Sequence, residues 1–557
     1  MIRKIKEFLK LNNLDGYLIP KNDIYFTEYS KVNNLEKVTN FTGSAGFALI
    51  LKKKNYLYVD GRYTLQAKQQ AGKNFVICNI PKEWPKDLQL TKSHKIGFDP
   101  KLSTEDLLCK YFANKVNLVP IYFDFKNKID KKFKKFFQLD KKITGETSDS
   151  KIKRLKTILN KTKINYLYIS SSENVCWLLN IRGADLPNSP LANCKLIFTN
   201  HGKLHLLVNK KKIVDIKKNF KNITFYGETN LLYVLNKLKI GKFNIDKSTC
   251  SIFDQNIIKS KFIIKSKIDP IYNLKTIKNN IEIKNTLDTH LLDGIALTKF
   301  LYWFKFKNHN FTEKKIIDKL EKLRKRSKKY LYPSFDTIAG SGPNGSIIHY
   351  RSTSKTNRNI NKNDILLVDS GGQYKWGTTD VTRTTCSGNV SMNIKNNFTR
   401  VLKGHISVIN CDLKKNFNGH LIDKIARRPL KKVGLDYSHG TGHGVGFFLN
   451  VHEGPISISK FNFVTLKKGM ILSNEPGYYL NNKYGIRIEN LIYVDELNKN
   501  LKFKNLTFAP IDLDMVNFRM LNKKEKEYLF DYHLIVYSKL SKYLNKNEKK
   551  WLINLIK

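Results

Sequence analysis

VDSGGQYKWGTTDVTRT, residues 368–384, sets two aspartates, Asp369 and Asp380, into an otherwise apolar and threonine-rich stretch. The apolar run Ile365–Val368 leads into the first, and alternating Thr and Val surround the second. The segment therefore reads as two β-strands joined by a glycine-containing turn. With that turn centred between Tyr374 and Lys375, the two aspartates stand directly opposite each other. Like charges so placed destabilise a strand pair unless something cationic lies between them.

Working outward, SHGTGHGVGFFLNVHEGP at 438–455 carries His439, His443 and His452 among glycines. Glycine lets a backbone approach a ligand closely, which separates this trio from histidines scattered on a surface. MILSNEPGYYLNNKYGIRIENLIYV at 470–494 follows, with Glu475 and Glu489 flanking an Asn-Asn turn. A turn centred on Asn482 sets these two glutamates face to face. Two hairpins and one histidine of the glycine-rich segment thus offer four hard oxygen donors and an imidazole. A structural zinc site favours Cys and His, and a calcium loop spaces its oxygens closely; neither pattern is present. Carboxylates can bridge, so five side chains suffice for two divalent ions ~3.5–4 Å apart. Without a sulfur ligand, Mn²⁺, Co²⁺ or Zn²⁺ suits the set. Arg487, two residues before Glu489, shares its strand face and can orient a carboxylate.

The rest of the chain bounds this reading. With 557 residues, 41% of them hydrophobic, it can fill two to four domains. Apolar runs such as Phe47–Leu51 fall far short of the ~20 residues a membrane span needs, and the N-terminus has no continuous apolar signal region. Seven scattered cysteines without a CxxC pair argue against a disulfide framework and fit a reducing cytoplasm. Lys+Arg of 100 against Asp+Glu of 47 gives a formal net charge of +53, which taken alone suggests nucleic acid. The lysines, however, are spread along the whole chain, and no helix–turn–helix, zinc-finger or RNP-like motif accompanies them. No specific nucleic-acid partner and no membrane partner is expected, only weak, salt-sensitive sticking to polyanions.

Short β-like runs such as YLYVDGRY mix with helical patches over the first ~120 residues, and a lysine-rich amphipathic stretch, KNKIDKKFKKFF, follows at 126–137. Capping residues in GETSDSKIKRLKTIL at 145–159 open a basic helix, which places a boundary near 143. A second α/β unit ends around Asp269–Pro270. A helix from about Asn280 then lines up Leu287, Leu291 and Ile295 on one face. The tail after Pro510 reads as helical, with capping boxes at Asn522…Glu525 and Asn545…Glu548, and Tyr528, Tyr532, Val536 and Trp551 on its buried or partner-facing side. The expected domains are 1–143, 144–272, 273–509 and a helical extension, 510–557.

At these residues the chain closely resembles the aminopeptidase P family, Xaa-Pro aminopeptidases of the M24 metallopeptidases, in its long three-domain form. DSGGQYKWGTTDVTRT, HGTGHGVGFFLNVHEGP and EPGYY…GIRIEN are similar to the family's metal-site motifs, and PNGSIIHYR (343–351) to its substrate-side histidine motif. The likeness extends to FTGSAG (41–46), DGRYTLQA (60–67) and the tail EKEYLFDYHLIVY, so it covers nearly the whole chain. It implies two N-terminal creatinase-like α/β domains followed by a C-terminal α+β catalytic domain of the pita-bread fold, a curved antiparallel sheet backed by helices. It also implies an ordered site. Asp369 would chelate one of two divalent ions, most simply Mn²⁺, Asp380 and Glu489 would bridge both, and His443 with Glu475 would complete the other. Glu475 would relay a proton, and His349, His439 and His452 would bind the scissile carbonyl. The substrate implied is a peptide with proline in the second position, and the assembly a cytoplasmic homodimer. The sequence departs from the family at Asn40, where relatives commonly have Gly, and at Trp376, a turn position often acidic in them.

Three readings compete with this one. A prolidase shares the fold and metal site but cleaves only Xaa-Pro dipeptides; the long two-domain N-terminal region and FTGSAG favour the aminopeptidase. A metal-free pita-bread protein binding nucleic acid or histones draws support only from the charge, and such relatives lose metal ligands that this chain keeps. A creatinase-like hydrolase has the same weakness.

Overall fold

The apolar runs of the first 270 residues form two six-stranded mixed sheets. The computed structural model describes residues 1–127, 133–306 and 311–556 and divides into two compact units, Met1–Leu274 and Lys275–Lys557. In the first sheet the strands lie in the order Val76–Ile80, Asn55–Asp60, Phe47–Leu51, Gly16–Pro20, Lys95–Phe98, Asn117–Pro120. Phe47–Leu51 pairs antiparallel with both Asn55–Asp60 and Gly16–Pro20, and Gly16–Pro20 pairs parallel with Lys95–Phe98. The second sheet, Ile223–Tyr226, Leu204–Leu207, Lys195–Thr199, Tyr166–Ile169, Lys242–Ile245, Ile263–Ser266, repeats that order and that alternation of directions. Both faces of the first sheet are covered: Leu18, Phe47, Leu49 and Tyr58 pack in one core, Tyr17, Ile19, Ala48 and Ile50 in another. Burial on two sides is why FALIL reads as a continuous apolar run without polar alternation.

Local signals place several elements. Thr147 accepts the backbone N–H of Ser150 and opens the helix Ser148–Lys161. Strand Phe137–Gln138 pairs with Ile181–Arg182. Of the amphipathic stretch 126–137, residues 128–132 lie outside the described residues. Asn40 ends the helix Asn34–Thr39 with φ 61°, a left-handed position that asparagine tolerates well, so the family's glycine is replaced without distortion. Among the described residues no helix is long and apolar enough to cross a membrane.

The second unit is built of antiparallel ladders backed by helices. Strands Ile338–Ser341, Ile365–Ser370 and Val381–Cys386 form one, and Ile471–Asn474, Asn490–Leu497 and Asn500–Asn505 another. Helix Asn280–Phe306 starts from a reciprocal cap between Asn279 and Glu282. It buries Phe300 and Phe304 against Leu366 and Val368, while its Leu287, Leu291 and Ile295 pack on the adjoining core. The tail helices Lys523–Leu540 and Lys546–Ile553 carry both anticipated capping boxes, and Tyr532 and Val536 are buried in the same unit.

One expectation fails. Asp369 pairs with Thr382, not Asp380, and Gln373 and Tyr374 pair with Thr378 and Gly377, so the turn is Lys375–Trp376. The ladder has slipped by two residues because Tyr374 stays in the strand, buried with its hydroxyl donating to Asp293 at 2.7 Å. A slip of two preserves the face, so both aspartates still point the same way, on a diagonal. The second hairpin has Gly477 opposite Arg487 and Asn474 opposite Asn490, which brackets Glu475 and Glu489 in opposed positions as the Asn482 turn requires.

A single buried guanidinium ties these strands to the tail. Arg383 donates to the carbonyls of Thr382, Glu489, Ala509 and Pro510, to Asn490 Oδ1 and to the Tyr532 hydroxyl. Replacing it by leucine strands those acceptors without water. Arg383→Leu is expected to cost ~4 kcal/mol or more, a drop of roughly 10 °C in the melting of a unit this size, whereas Tyr532→Phe costs about 1 kcal/mol. Calorimetry on the full chain tests this; equal shifts in the two variants would contradict it.

Candidate metal centre

Alternation along Val381–Cys386 explains the threonines. Thr382 and Thr384 face the neighbouring strand: the Thr384 hydroxyl donates to the Arg487 carbonyl and accepts the Arg487 N–H, and the Glu489 N–H donates to the Thr382 carbonyl. Thr385 faces the other way and donates to Asp512 at 2.7 Å. The hydroxyls thus register the two carboxylate-bearing hairpins against each other. Two close backbone approaches finish the job. A Cβ on Gly485 would lie 1.9 Å from the Gly345 carbonyl, and one on Gly442 would lie 2.0 Å from that of Ser473. Only glycine fits at either contact.

The carboxylates converge in a buried pocket. Asp380, His443 and Glu489 each offer a ligand atom within 4.8 Å of the others. His443 Nε2 lies 3.4 Å from Asp380 Oδ2 and 3.6 Å from Glu475 Oε1. Asp369 Oδ2 accepts from Arg487 Nη2 at 2.6 Å, while its Oδ1 is buried without a hydrogen-bond partner. Arg487 Nε donates to Thr382 Oγ1 at 3.1 Å, and that hydroxyl donates to Glu489 Oε2 at 2.8 Å. Ser473 Oγ accepts the His443 N–H and donates to Glu475 Oε1. Burial, reinforced by the charges of Asp369 and Glu475, pushes the Asp380 carboxyl well above the usual carboxylate range. Glu489 is pushed up likewise, by burial first and then by Asp380, Glu475 and Asp369. An orphaned carboxylate oxygen and two carboxyls that resist ionisation are what a site for divalent cations looks like without them. The donor set, oxygen and imidazole without thiolate, fits hard to borderline ions.

The remaining candidates lie around this group. His452 packs edge-on against His443, ring centroids 4.3 Å apart. His439 Nε2 is 3.0 Å from the Tyr479 hydroxyl, which accepts from Arg487 Nη1 at 2.5 Å. His349 follows Ile348, whose carbonyl accepts from Arg487. All nine residues singled out in the sequence are thereby gathered about Arg487 and the carboxylates. Trp376 lies in the hairpin turn, its ring 5.4 Å from that of Phe448.

Residues 286–496 match the metallopeptidase family M24 model, 1–121 and 127–282 each match the creatinase/prolidase N-terminal domain, and 499–557 match the C-terminal region of peptidase M24. The probable Xaa-Pro aminopeptidase P of Laccaria bicolor is 34% identical over 602 residues, which cover 99% of this chain and 92% of that protein. The chain belongs to metallopeptidase family M24. The solved X-prolyl aminopeptidase of Caenorhabditis elegans, a cytosolic enzyme with a di-nuclear active site, is 30% identical to this M24 peptidase, with a TM-score of 0.90 over 98% of this chain and 95% of its own. A prolidase of Pyrococcus horikoshii, 24% identical, shares the fold over 65% of this chain and 99% of its own, with a TM-score of 0.55.

Sequence reasoning passed over Tyr479, Thr382 and Ser473. Tyr479 follows Glu475 by four residues along an extended segment and pairs with Gly485, so it shares the face of Glu475 and Arg487. Period-two counting from Glu475 would have found it. Ser473 is Glu475's neighbour by the same count. Thr382 was legible as a strand residue, but its partner lies 107 positions away.

The raised carboxyls of the M24 peptidase fix the sign of a pH effect. Folded, metal-free protein binds protons that the unfolded chain has already released, so the contribution of Asp380 and Glu489 to stability is full below the ordinary carboxylate range and is lost as pH rises through their raised values. Chelator-stripped protein is expected to melt progressively earlier as pH rises above the ordinary carboxylate range, and added Mn²⁺ to raise the midpoint most at the highest pH. A metal increment independent of pH would contradict this.

Proposed function

We propose that this M24 peptidase is an Xaa-Pro aminopeptidase, releasing the first residue of peptides whose second residue is proline. The observation that carries the proposal is the correspondence along the whole chain, both N-terminal sheets included, with an X-prolyl aminopeptidase. The prolidase likeness stops at two thirds of the chain. In this reading the domains are those expected from sequence, 1–143, 144–272, 273–509 and 510–557, and the division of compact units after Leu274 supports the second boundary. The enzyme works in the cytosol as a homodimer, as the family resemblance implies.

Asp369, Asp380, His443, Glu475 and Glu489 would hold two divalent ions, Mn²⁺ before Co²⁺ or Zn²⁺. When bound, the ions would supply a water acidic enough to be nucleophilic near neutral pH and would polarise the scissile carbonyl. Glu475, its Oε1 fixed by Ser473, takes the proton of the attacking water and passes it to the leaving proline nitrogen. His349, His439 and His452 donate to the carbonyl oxygen as its charge grows. Arg487 donates to Asp369 Oδ2 and fixes the orientation of that carboxylate. An Xaa-Pro bond is a tertiary amide without an N–H, so a site that asks nothing of that hydrogen accepts it where other aminopeptidases fail.

The test is hydrolysis of Arg-Pro-Pro and of Arg-Pro by chelator-stripped protein before and after Mn²⁺ is added. Metal-dependent release of arginine from the tripeptide, with little dipeptide cleavage, is the expected result; preference for the dipeptide would make the chain a prolidase, and cleavage of neither with any divalent ion would favour a binding protein. Asp380→Ala and Glu489→Ala are each expected to abolish turnover and tight metal binding together, read by activity and by metal analysis after dialysis. Full turnover in either variant contradicts the ligand assignment.

A further inference from the structure

The loop that carries His349 is held from behind by a carboxylate outside the metal group. Glu313 opens the helix Glu313–Arg324 and is fully buried. Its Oε1 accepts the Ser341 N–H at 2.9 Å and Asn344 Nδ2 at 3.0 Å. Its Oε2 accepts the Tyr350 hydroxyl at 2.7 Å, Asn344 Nδ2 at 3.0 Å and the Arg358 N–H at 3.3 Å. The Glu313 N–H donates in turn to the Arg358 carbonyl. The side chains of Asn344 and Tyr350 thus meet on one carboxylate, and the segment between them is Gly345 to His349. The far side of that segment touches the metal hairpin, through the Gly345–Gly485 backbone contact and the Ile348 carbonyl on Arg487. A buried carboxylate accepting this many charge-assisted bonds holds its donors far more rigidly than packing alone.

We infer that Glu313 is a positioning residue of the reaction: by clamping both ends of the loop, it sets His349 at the distance from which it contacts substrate. The inference rests on the reading above that His349 does so. Glutamine at 313 keeps the volume but turns one oxygen into an N–H₂ group, which sets donor against donor at Ser341 and Asn344 or at Tyr350 and Arg358. The loop then shifts, and misplacing a catalytic contact by an ångström can cost about a hundredfold.

The experiment is a double-mutant cycle on metal-loaded full-length protein with Glu313→Gln and His349→Ala, scored by kcat/KM on Arg-Pro-Pro, with metal content measured for each variant and amide hydrogen exchange followed over 341–358. His349→Ala is expected to cost about 100-fold or more and Glu313→Gln about 10- to 100-fold. In the His349→Ala background, Glu313→Gln is expected to cost less than about threefold, because the contact it perturbs is already gone. Metal content stays at the wild-type value and exchange over 341–358 rises. The same loss from Glu313→Gln in both backgrounds, or no loss in either, overturns the inference. Should His349→Ala leave activity intact, the substrate role of His349 fails first and the inference with it, whereas failure of the peptidase reading shows as wild-type inactivity. Tyr350→Phe, which removes one donor and no charge, repeats the cycle where Glu313→Gln does not fold, with a smaller loss and the same non-additivity expected.

Discussion

Bringing Asp369, Asp380, Glu475 and Glu489 into one largely buried group is the constraint on which the C-terminal unit depends. Two carboxylates 4 Å apart repel by ~4 kcal/mol at an effective dielectric of 20, and burial compounds the cost. The chain offsets part of it with Arg487, which holds Asp369 directly and reaches Glu489 through Thr382. Burial and the neighbouring carboxylates push the carboxyls of Asp380 and Glu489 well above the usual carboxylate range. What keeps the strands in place despite the repulsion is backbone stitching: the threonine hydroxyls from one side, and the six bonds of Arg383 from the other. Arg383 and Arg487 face opposite ways from neighbouring strands. One fixes the scaffold and the other the charge.

How much of this could be read beforehand varies with the range of the interaction. The Glu475–Glu489 hairpin was legible because its Asn-Asn turn is a local signal that sets register by itself. The Asp369–Asp380 hairpin was not, because its register is set by Tyr374, whose partner Asp293 lies 81 residues away on a helix. Even so the two aspartates keep a common face, since a slip of two returns each side chain to its own side. A slip of one would have sent one aspartate to the wrong side. Likewise the capping boxes at Asn279, Asn522 and Asn545 are four-residue signals, whereas Arg383 gathers acceptors from four separate stretches that no spacing rule connects.

The repeated sheet shows a different limit. Both N-terminal sheets have the same strand order and directions, yet no repeat is evident in the sequence. A sheet covered on both faces asks only for apolar residues of suitable volume at each position, and many sequences satisfy that. Topology therefore outlasts sequence likeness. The motifs of the carboxylate hairpins are legible for the opposite reason, because their positions ask for one functional group or, at Gly442 and Gly485, none.

The carboxylates and the histidines proposed to face substrate are consequently held by different means. Asp369, Asp380, Glu475 and Glu489 stand in or at the ends of strands, where ladder register places them. His349, His439 and His452 stand in loops, and each loop is tied by a buried charge supplied from a helix or its approach. Glu313 clamps the loop of His349. Arg427, itself paired with Asp423, donates to the His439 carbonyl at 2.6 Å. Glu453, beside His452, is held by Lys275 and Lys278, all three almost wholly buried. Charges buried at such cost persist where apolar packing would be cheaper only if geometry matters more than stability. The loops around this centre thus gain from polar ties what strands have from hydrogen-bonded neighbours, and each histidine has an anchor of its own besides its contacts with the carboxylate group.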